Sequence, residues 1–375
     1  MAGIITDLEA EKQADYRCLT VSGSHYALGS QLARVAAQSP VDSLTAEQRT
    51  QIASLMGLSV DQVAALDPAS HRKTLGQPTL NDSQLAFAED CLELVCNYHP
   101  PLLDEFEGYA EELGVSLTYL LGALTFGIER SPRHCSAFAW RGRDGVTVGR
   151  NYDFFPWVKT RHLIHAKPEI YYATVGMNDG LLGGRHEGVN ELGLFVAQSA
   201  APTGNPSPSR PGVIFHLVPR ILLETCASAG EATMLARDMP HLMSHSYLVA
   251  DPDEMFVVEA HPELVRVREA ENGYIGATNH FLHPDLQSLM SSPVTEHSRQ
   301  RQATMLSNLR KAEDSRDPWM AAKDTLIDHE APLCSHGESM STLWSMVADL
   351  TDKRLAYSLG APCRNEYQTV PWPGT

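Results

Sequence analysis

Between Cys135 and Asp153 the sequence sets a thiol, a guanidinium (Arg150) and a carboxylate on two short runs, CSAFAWR and VTVGRNYD, separated by GRDG. Two apolar runs around such a turn read as a β-hairpin. With a three-residue loop, Arg143-Asp144-Gly145, facing residues sum to 288 and Cys135 stands opposite Asp153 on one face. An even-numbered loop would instead put the two on opposite faces. With the three-residue loop, a thiol, a carboxylate and an arginine would form a site at the open end of the hairpin. Spacing alone leaves open a plainer reading, an edge cysteine near a structural arginine–aspartate pair.

Other familiar chemistry is missing. There is no GxxxxGK[ST], GxGxxG, GxSxG or HExxH, which removes phosphate cradles and the commoner serine and zinc hydrolases. The pairs His241/His245 and His280/His283 lack a third ligand placed by sequence, so no metal is assigned. Seven scattered cysteines without C-x-x-C fit a reducing compartment and no disulfide framework or zinc ribbon. The net charge of −17 and the lack of a basic stripe exclude nucleic acid and anionic membrane as partners. The longest apolar run, Tyr119 to Ile128, is too short for a bilayer, and the acidic start MAGIITDLEAEK is no signal peptide. A cytoplasmic protein is the expectation.

The elements that must position the thiol follow from periodicity. Residues 1 to about 130 read as mainly helical after a short start at Tyr16–Ser22. One helix opens at Asp82-Ser83-Gln84, a second runs from Pro100-Pro101 to Leu113, and a third, nearly all apolar, spans Leu117–Ile128. The polar stretch Glu129–Arg133 breaks the pattern, so the expected division is 1–134, mainly helical, and 135–375, a catalytic core. Past it, hairpins are expected at 136–141/146–151, 182–189/194–200, 247–250/255–260, 264–268/275–279 and 343–350/355–359. Helices are expected at 215–226, from a capping box at Ser228-Ala229-Gly230-Glu231, and at 292–309 and 318–327. PTGNPSPSRPG at 202–212 reads as an exposed loop. The class is α+β, built on antiparallel sheets.

Cys135 with GRNYDF resembles the N-terminal nucleophile (Ntn) hydrolases of the choloylglycine hydrolase group, in the branch typified by acyl-coenzyme A:6-aminopenicillanic acid acyltransferase. The likeness continues in order through VSGSHYALGSQLA (21–33), GVNELGLFVA (188–197), YLVADPDEMFVVEA (247–260), ATNHF (277–281) and SMVADLTDKRLAYSLGAPC (345–363). The resemblance implies a four-layer αββα sandwich of two antiparallel sheets. It implies that Cys135 is the nucleophile, unmasked when the chain cuts itself before that residue. The freed α-amine, with an ordinary pKa of about 8, then serves as base. It further implies that Asp153 orients the amine and that Arg150 polarises the thiol. The Asn279 amide would donate to the oxyanion, with a backbone N–H from Gln198–Ala200 as second donor. Arg299, in HSRQR, best matches a second site arginine. Asn190 sits in the NELG turn and is read as structural. His134 departs from the glycine of that branch.

The expected reaction is attack by Cys135 on a small linear amide or thioester, with no metal or redox cofactor. Two rivals are a bile-salt or penicillin V amidase, whose nucleophile usually opens the chain, and a non-catalytic binding protein on the same scaffold. The sequence leaves a homo-oligomer open.

Overall fold

The computed structural model describes residues 6–38, 46, 49, 50, 53, 60, 81–126 and 134–375, except 144, 181, 202–209, 291–295, 313–316 and 338–339. The polar break 129–133 and most of the Pro-rich loop lie outside the described residues.

The chain opens with helices α1 (Asp7–Lys12), α2 (His25–Gln38), α3 (Asp82–Tyr98), α4 (Pro101–Leu113) and α5 (Leu117–Phe126) and, between α1 and α2, a first strand, β1 (Asp15–Gly23). Asn81 caps α3 by accepting from the Gln84 N–H, and the Gln84 side chain returns to the Asn81 N–H. Gly114, at φ 66°, ends α4 in the left-handed conformation that costs glycine least. α2 and α4 touch backbone to backbone: a Cβ on Gly29 would lie 2.0 Å from the Glu105 carbonyl oxygen, and one on Gly108 2.2 Å from that of Tyr26.

After residue 134 come β2 (His134–Arg141), β3 (Val146–Phe154), β4 (Thr160–Pro168), β5 (Thr174–Asn178), β6 (Glu187–Asn190) and β7 (Phe195–Ala200). Helices α6 (Leu217–Thr225) and α7 (Ala229–Asp238) precede β8 (His245–Ala250), β9 (Met255–His261), β10 (Leu264–Glu269) and β11 (Tyr274–Ala277). Then follow α8 (Pro284–Gln287), α9 (Glu296–Lys311), α10 (Pro318–Leu326), β12 (Ser341–Asp349), β13 (Arg354–Ser358) and β14 (Gln368–Val370). Ser228 caps α7, but Glu231 returns to the Ala227 N–H, so the expected box closes one residue early.

Among the described residues eight strands form one sheet, β1-β4-β5-β6-β7-β8-β9-β10, and six form the other, β11-β2-β3-β12-β13-β14. Their inner faces meet in one core that joins Ala137, Val148 and Trp344 of the small sheet to Val175, Phe195 and Leu248 of the large one. α6 and α7 cover the outside of the large sheet, and α9 and α10 that of the small one. The class is α+β in four layers, αββα, as expected.

One expected hairpin fails on topology. The strands flanking Glu271-Asn272-Gly273 do not pair: β10 pairs with β9 and β11 with β2, so this turn carries the chain from one sheet to the other. The short start before the helices is β1, which runs parallel to β4, Asp15 beside Thr160 through Gly23 beside Pro168, as an edge of the large sheet. The helical segment before residue 134 is thereby built into the sandwich. Among the described residues no helix is long and apolar enough to cross a membrane.

Candidate active site

The β2–β3 register decides which side chains meet. Arg141 pairs with Val146, leaving the four-residue loop 142–145, closed by the Gly142 N–H donating to the Gly145 carbonyl at 2.9 Å. Cys135 therefore faces Tyr152, and Asp153 faces His134. The three-residue loop expected from sequence is corrected by one residue, and with a side-chain period of two that shift moves Asp153 to the opposite face from the thiol.

Cys135 and Arg150 share the inner face. Arg150 Nη2 lies 3.5 Å from Cys135 Sγ, its Nη1 donates to the Gln198 carbonyl, and its Nε lies 2.9 Å from Glu187 Oε2. Glu187 also accepts from Trp344 Nε1 at 2.9 Å. Arg150 thus ties β3 of the small sheet to β6 and β7 of the large one, all fully buried. Burial drives Glu187 up to about 7 against the pull of Arg150.

Asn279, just past β11, turns its amide toward the start of β2. Its Oδ1 accepts from the Cys135 N–H and from Arg301 Nη2, both at 2.8 Å, and its Nδ2 donates to the Ala200 carbonyl at 3.0 Å. Arg301 also donates through Nη1 to the Cys135 carbonyl at 2.6 Å and to Ser136 Oγ at 2.8 Å. Arg299, the arginine chosen from sequence, is exposed on α9 and does not enter this cluster. A helix turns 100° per residue, so positions two apart cannot share a face. Counting back four from the buried apolar Met305 reaches Arg301, a signal that was legible in HSRQR. Glu187 left no comparable mark, because its partner lies in the other sheet.

Asp153 is held on its far face by Thr342, whose hydroxyl donates to Oδ1 at 2.7 Å. Burial drives its carboxyl up to about 7, with Arg301, Thr342 and Arg150 opposing. His134 lies beside His297, ring centroids 4.8 Å apart and tilted by 45°, and burial with the Arg301 charge pushes it down to about 3. Of the second oxyanion donors, the Gln198 N–H is already given to the His186 carbonyl at 3.0 Å. Asn190 is structural, as read: its Oδ1 accepts from the N–H groups of Leu192, Gly193 and Leu194.

Two facing sheets between helical layers form the sandwich architecture of the Ntn hydrolases. Residues 140–364 match the family described as acyl-coenzyme A:6-aminopenicillanic acid acyl-transferase, and the chain belongs to that family. The matched span begins five residues after Cys135. The protein is accordingly an enzyme of amide hydrolysis or acyl transfer.

No curated protein matches the chain. Solved structures similar to it include an N-acylethanolamine-hydrolyzing acid amidase orthologue from Caenorhabditis elegans, at 13% identity and TM-score 0.45 over 63% of this chain and 100% of that one. Others are penicillin V acylase from Agrobacterium tumefaciens (16%, TM-score 0.41, 60% and 83%) and a mutant conjugated bile acid hydrolase from Clostridium perfringens (13%, TM-score 0.40, 64% and 98%).

Proposed function

We propose that the protein is a cysteine amidohydrolase or acyltransferase acting on a small linear amide or thioester through Cys135, after cutting itself before that residue. One observation carries the reading: the Cys135 thiol faces Arg150 at 3.5 Å while its backbone nitrogen is gripped by Asn279 Oδ1 at 2.8 Å. Cleavage would turn that nitrogen into an α-amine already held beside its own thiol.

The neutral amine takes the thiol proton, and the thiolate, steadied by Arg150, attacks the substrate carbonyl carbon. The second hydrogen of Asn279 Nδ2 is suited to the oxyanion of the tetrahedral intermediate, with the N–H of Ala200 as the other donor. The leaving amine, or thiolate, departs with the proton from the α-ammonium. Water then attacks the thioester, its proton passing to the α-amine, and Cys135 is restored as thiol when that proton returns.

His134 is a poor substitute base, because an imidazole held at about 3 binds the proton too weakly. Asp153, on the far face, acts on the amine through the Arg301 charge rather than by direct contact. Hydrolysis is favoured over transfer, since water is always present and transfer requires a second pocket.

N-terminal sequencing and intact mass of active enzyme test the cut: a new chain starting at Cys135 and pieces of 134 and 241 residues are expected. Activity residing in an uncut 375-residue chain would overturn the α-amine base.

A further inference from the structure

Away from the thiol, His329, Cys334 and His336 lie between α10 and β12, and Cys363 lies in the turn after β13. Four potential ligand atoms, one from each, lie within 4.8 Å of one another. Cys334 Sγ is 3.4 Å from His336 Nε2, and the same nitrogen is 3.1 Å from Cys363 Sγ. In tetrahedral zinc sites, bonds of about 2.0–2.3 Å put neighbouring ligand atoms roughly 3.3–3.8 Å apart. Two of these separations are therefore already near the required size.

We infer that His329, Cys334, His336 and Cys363 form a structural site for a tetrahedral divalent metal of zinc type. Two thiolates and two neutral imidazoles balance the metal charge, and soft sulfur with imidazole selects zinc over hard cations. With all four positions taken by protein, the metal has no place for substrate, so its role is to cross-link.

The surroundings support that role independently. His336 Nδ1 lies 3.0 Å from Asp7 Oδ2, the carboxylate partner that fixes a metal-bound imidazole and frees its Nε2 lone pair. Arg364, which also approaches that ring nitrogen at 3.1 Å, pairs with Asp7 at 2.9 Å and Glu11 at 3.0 Å. The metal would join three segments distant in sequence: α1 through Asp7, the 329–336 loop and the 361–365 turn. The loop reaches the reaction centre as well, because the Ser335 N–H donates to Thr342 Oγ1 at 2.9 Å and Thr342 donates to Asp153. The cluster was hidden in sequence because Cys334 and Cys363 are 29 residues apart and form no C-x-x-C.

The test is metal analysis of the full chain purified in zinc-supplemented medium under reducing conditions without chelator. About one zinc per chain is expected in wild type and in Cys18→Ser, which alters an exposed cysteine elsewhere, against less than about a tenth of that in Cys363→Ser and His336→Ala. Cobalt(II) added to metal-stripped wild type should give the thiolate charge-transfer band and intense d–d bands of tetrahedral coordination, a readout that holds even if a variant misfolds. Metal-free protein that gives no such spectrum, zinc retained by folded Cys363→Ser, or a Cys334–Cys363 disulfide in protein isolated without oxidant would each overturn the proposal.

Discussion

Two buried charged clusters join the segment before residue 134 to the rest of the chain or lie at their border, and they are built on opposite principles. Behind the large sheet, Arg220 holds Glu105 at 2.8 Å and Glu224 at 2.6 Å, and Glu224 Oε2 is reached by His25 at 3.0 Å and His99 at 2.8 Å. Every oxygen of Glu224 is engaged, and its carboxyl lies well below the ordinary range despite complete burial. Around Cys135 burial wins instead: Asp153 and Glu187 rise to about 7, and the Arg301 guanidinium is pulled down. The first cluster is a clamp in which Arg220, Glu105 and Glu224 satisfy one another, while burial pushes His99 down. The second keeps groups near the point of exchanging a proton, the condition expected of chemistry rather than of support.

Breaking each cluster should therefore fail differently. Cys135→Ala should lower turnover by at least about 10⁴-fold while leaving the cooperative unfolding transition in place, and the chain should stay uncut. Residual wild-type turnover with any amide substrate would end the nucleophile assignment. Arg220→Met should do the reverse. It leaves Glu105 and Glu224 buried without their cation, a loss of about 3–5 kcal/mol by denaturant titration, with kcat per folded molecule unchanged. A clamp of that strength also predicts that the two pieces of a cut chain stay together until denaturant is added. Equal loss of stability in both variants would erase the distinction.

How much of this was legible depends on the range of the interaction. Turn-linked pairs such as Tyr247–Ala250 with Met255–Ala260 could be read because local turn chemistry and alternation agree. The β10–β11 link could not, since Glu271-Asn272-Gly273 makes a good turn whichever sheet each strand then joins. β1 beside β4 is a parallel pairing across more than 130 residues, with no local signal for its partner. At the site, Cys135, Arg150 and Asn279 were named and do converge. Asp153 was named, but one extra loop residue changed its face, and Arg299 was named where helical periodicity points to Arg301.

Asn279→Ala sharpens the contrast within the reactive cluster. With Asn279 as the proposed oxyanion donor, kcat should fall about 100- to 1000-fold, with KM little changed, because the bond matters most in the transition state. A defect confined to KM would move Asn279 into ground-state substrate binding. Since its Oδ1 also grips the Cys135 nitrogen, self-cleavage should slow in the same variant, visible as uncut chain on a denaturing gel.

The last contrast is in the sign of pH dependence, measured on uncut Cys135→Ala so that maturation does not intervene. Asp153 has a folded value raised from 3.8 to about 7, so between those limits the native state holds more protons than the unfolded state. Its contribution to stability is thus fully present below about 4 and is lost as pH rises toward 7. Glu224, depressed in the fold, contributes the other way: its share is present above the ordinary value of 4.5 and disappears as acid protonates it. Asp153→Asn in the Cys135→Ala background removes only the first contribution. Denaturation across this pH range should show the Asn variant gaining on its parent as pH rises toward 7 and levelling off beyond, by a few kcal/mol at roughly 1.4 per pH unit. A difference between the two proteins that stays flat with pH would mean that Asp153 is ionised throughout, held by Arg301 as firmly as Glu224 is held by Arg220, and the two clusters would then be alike.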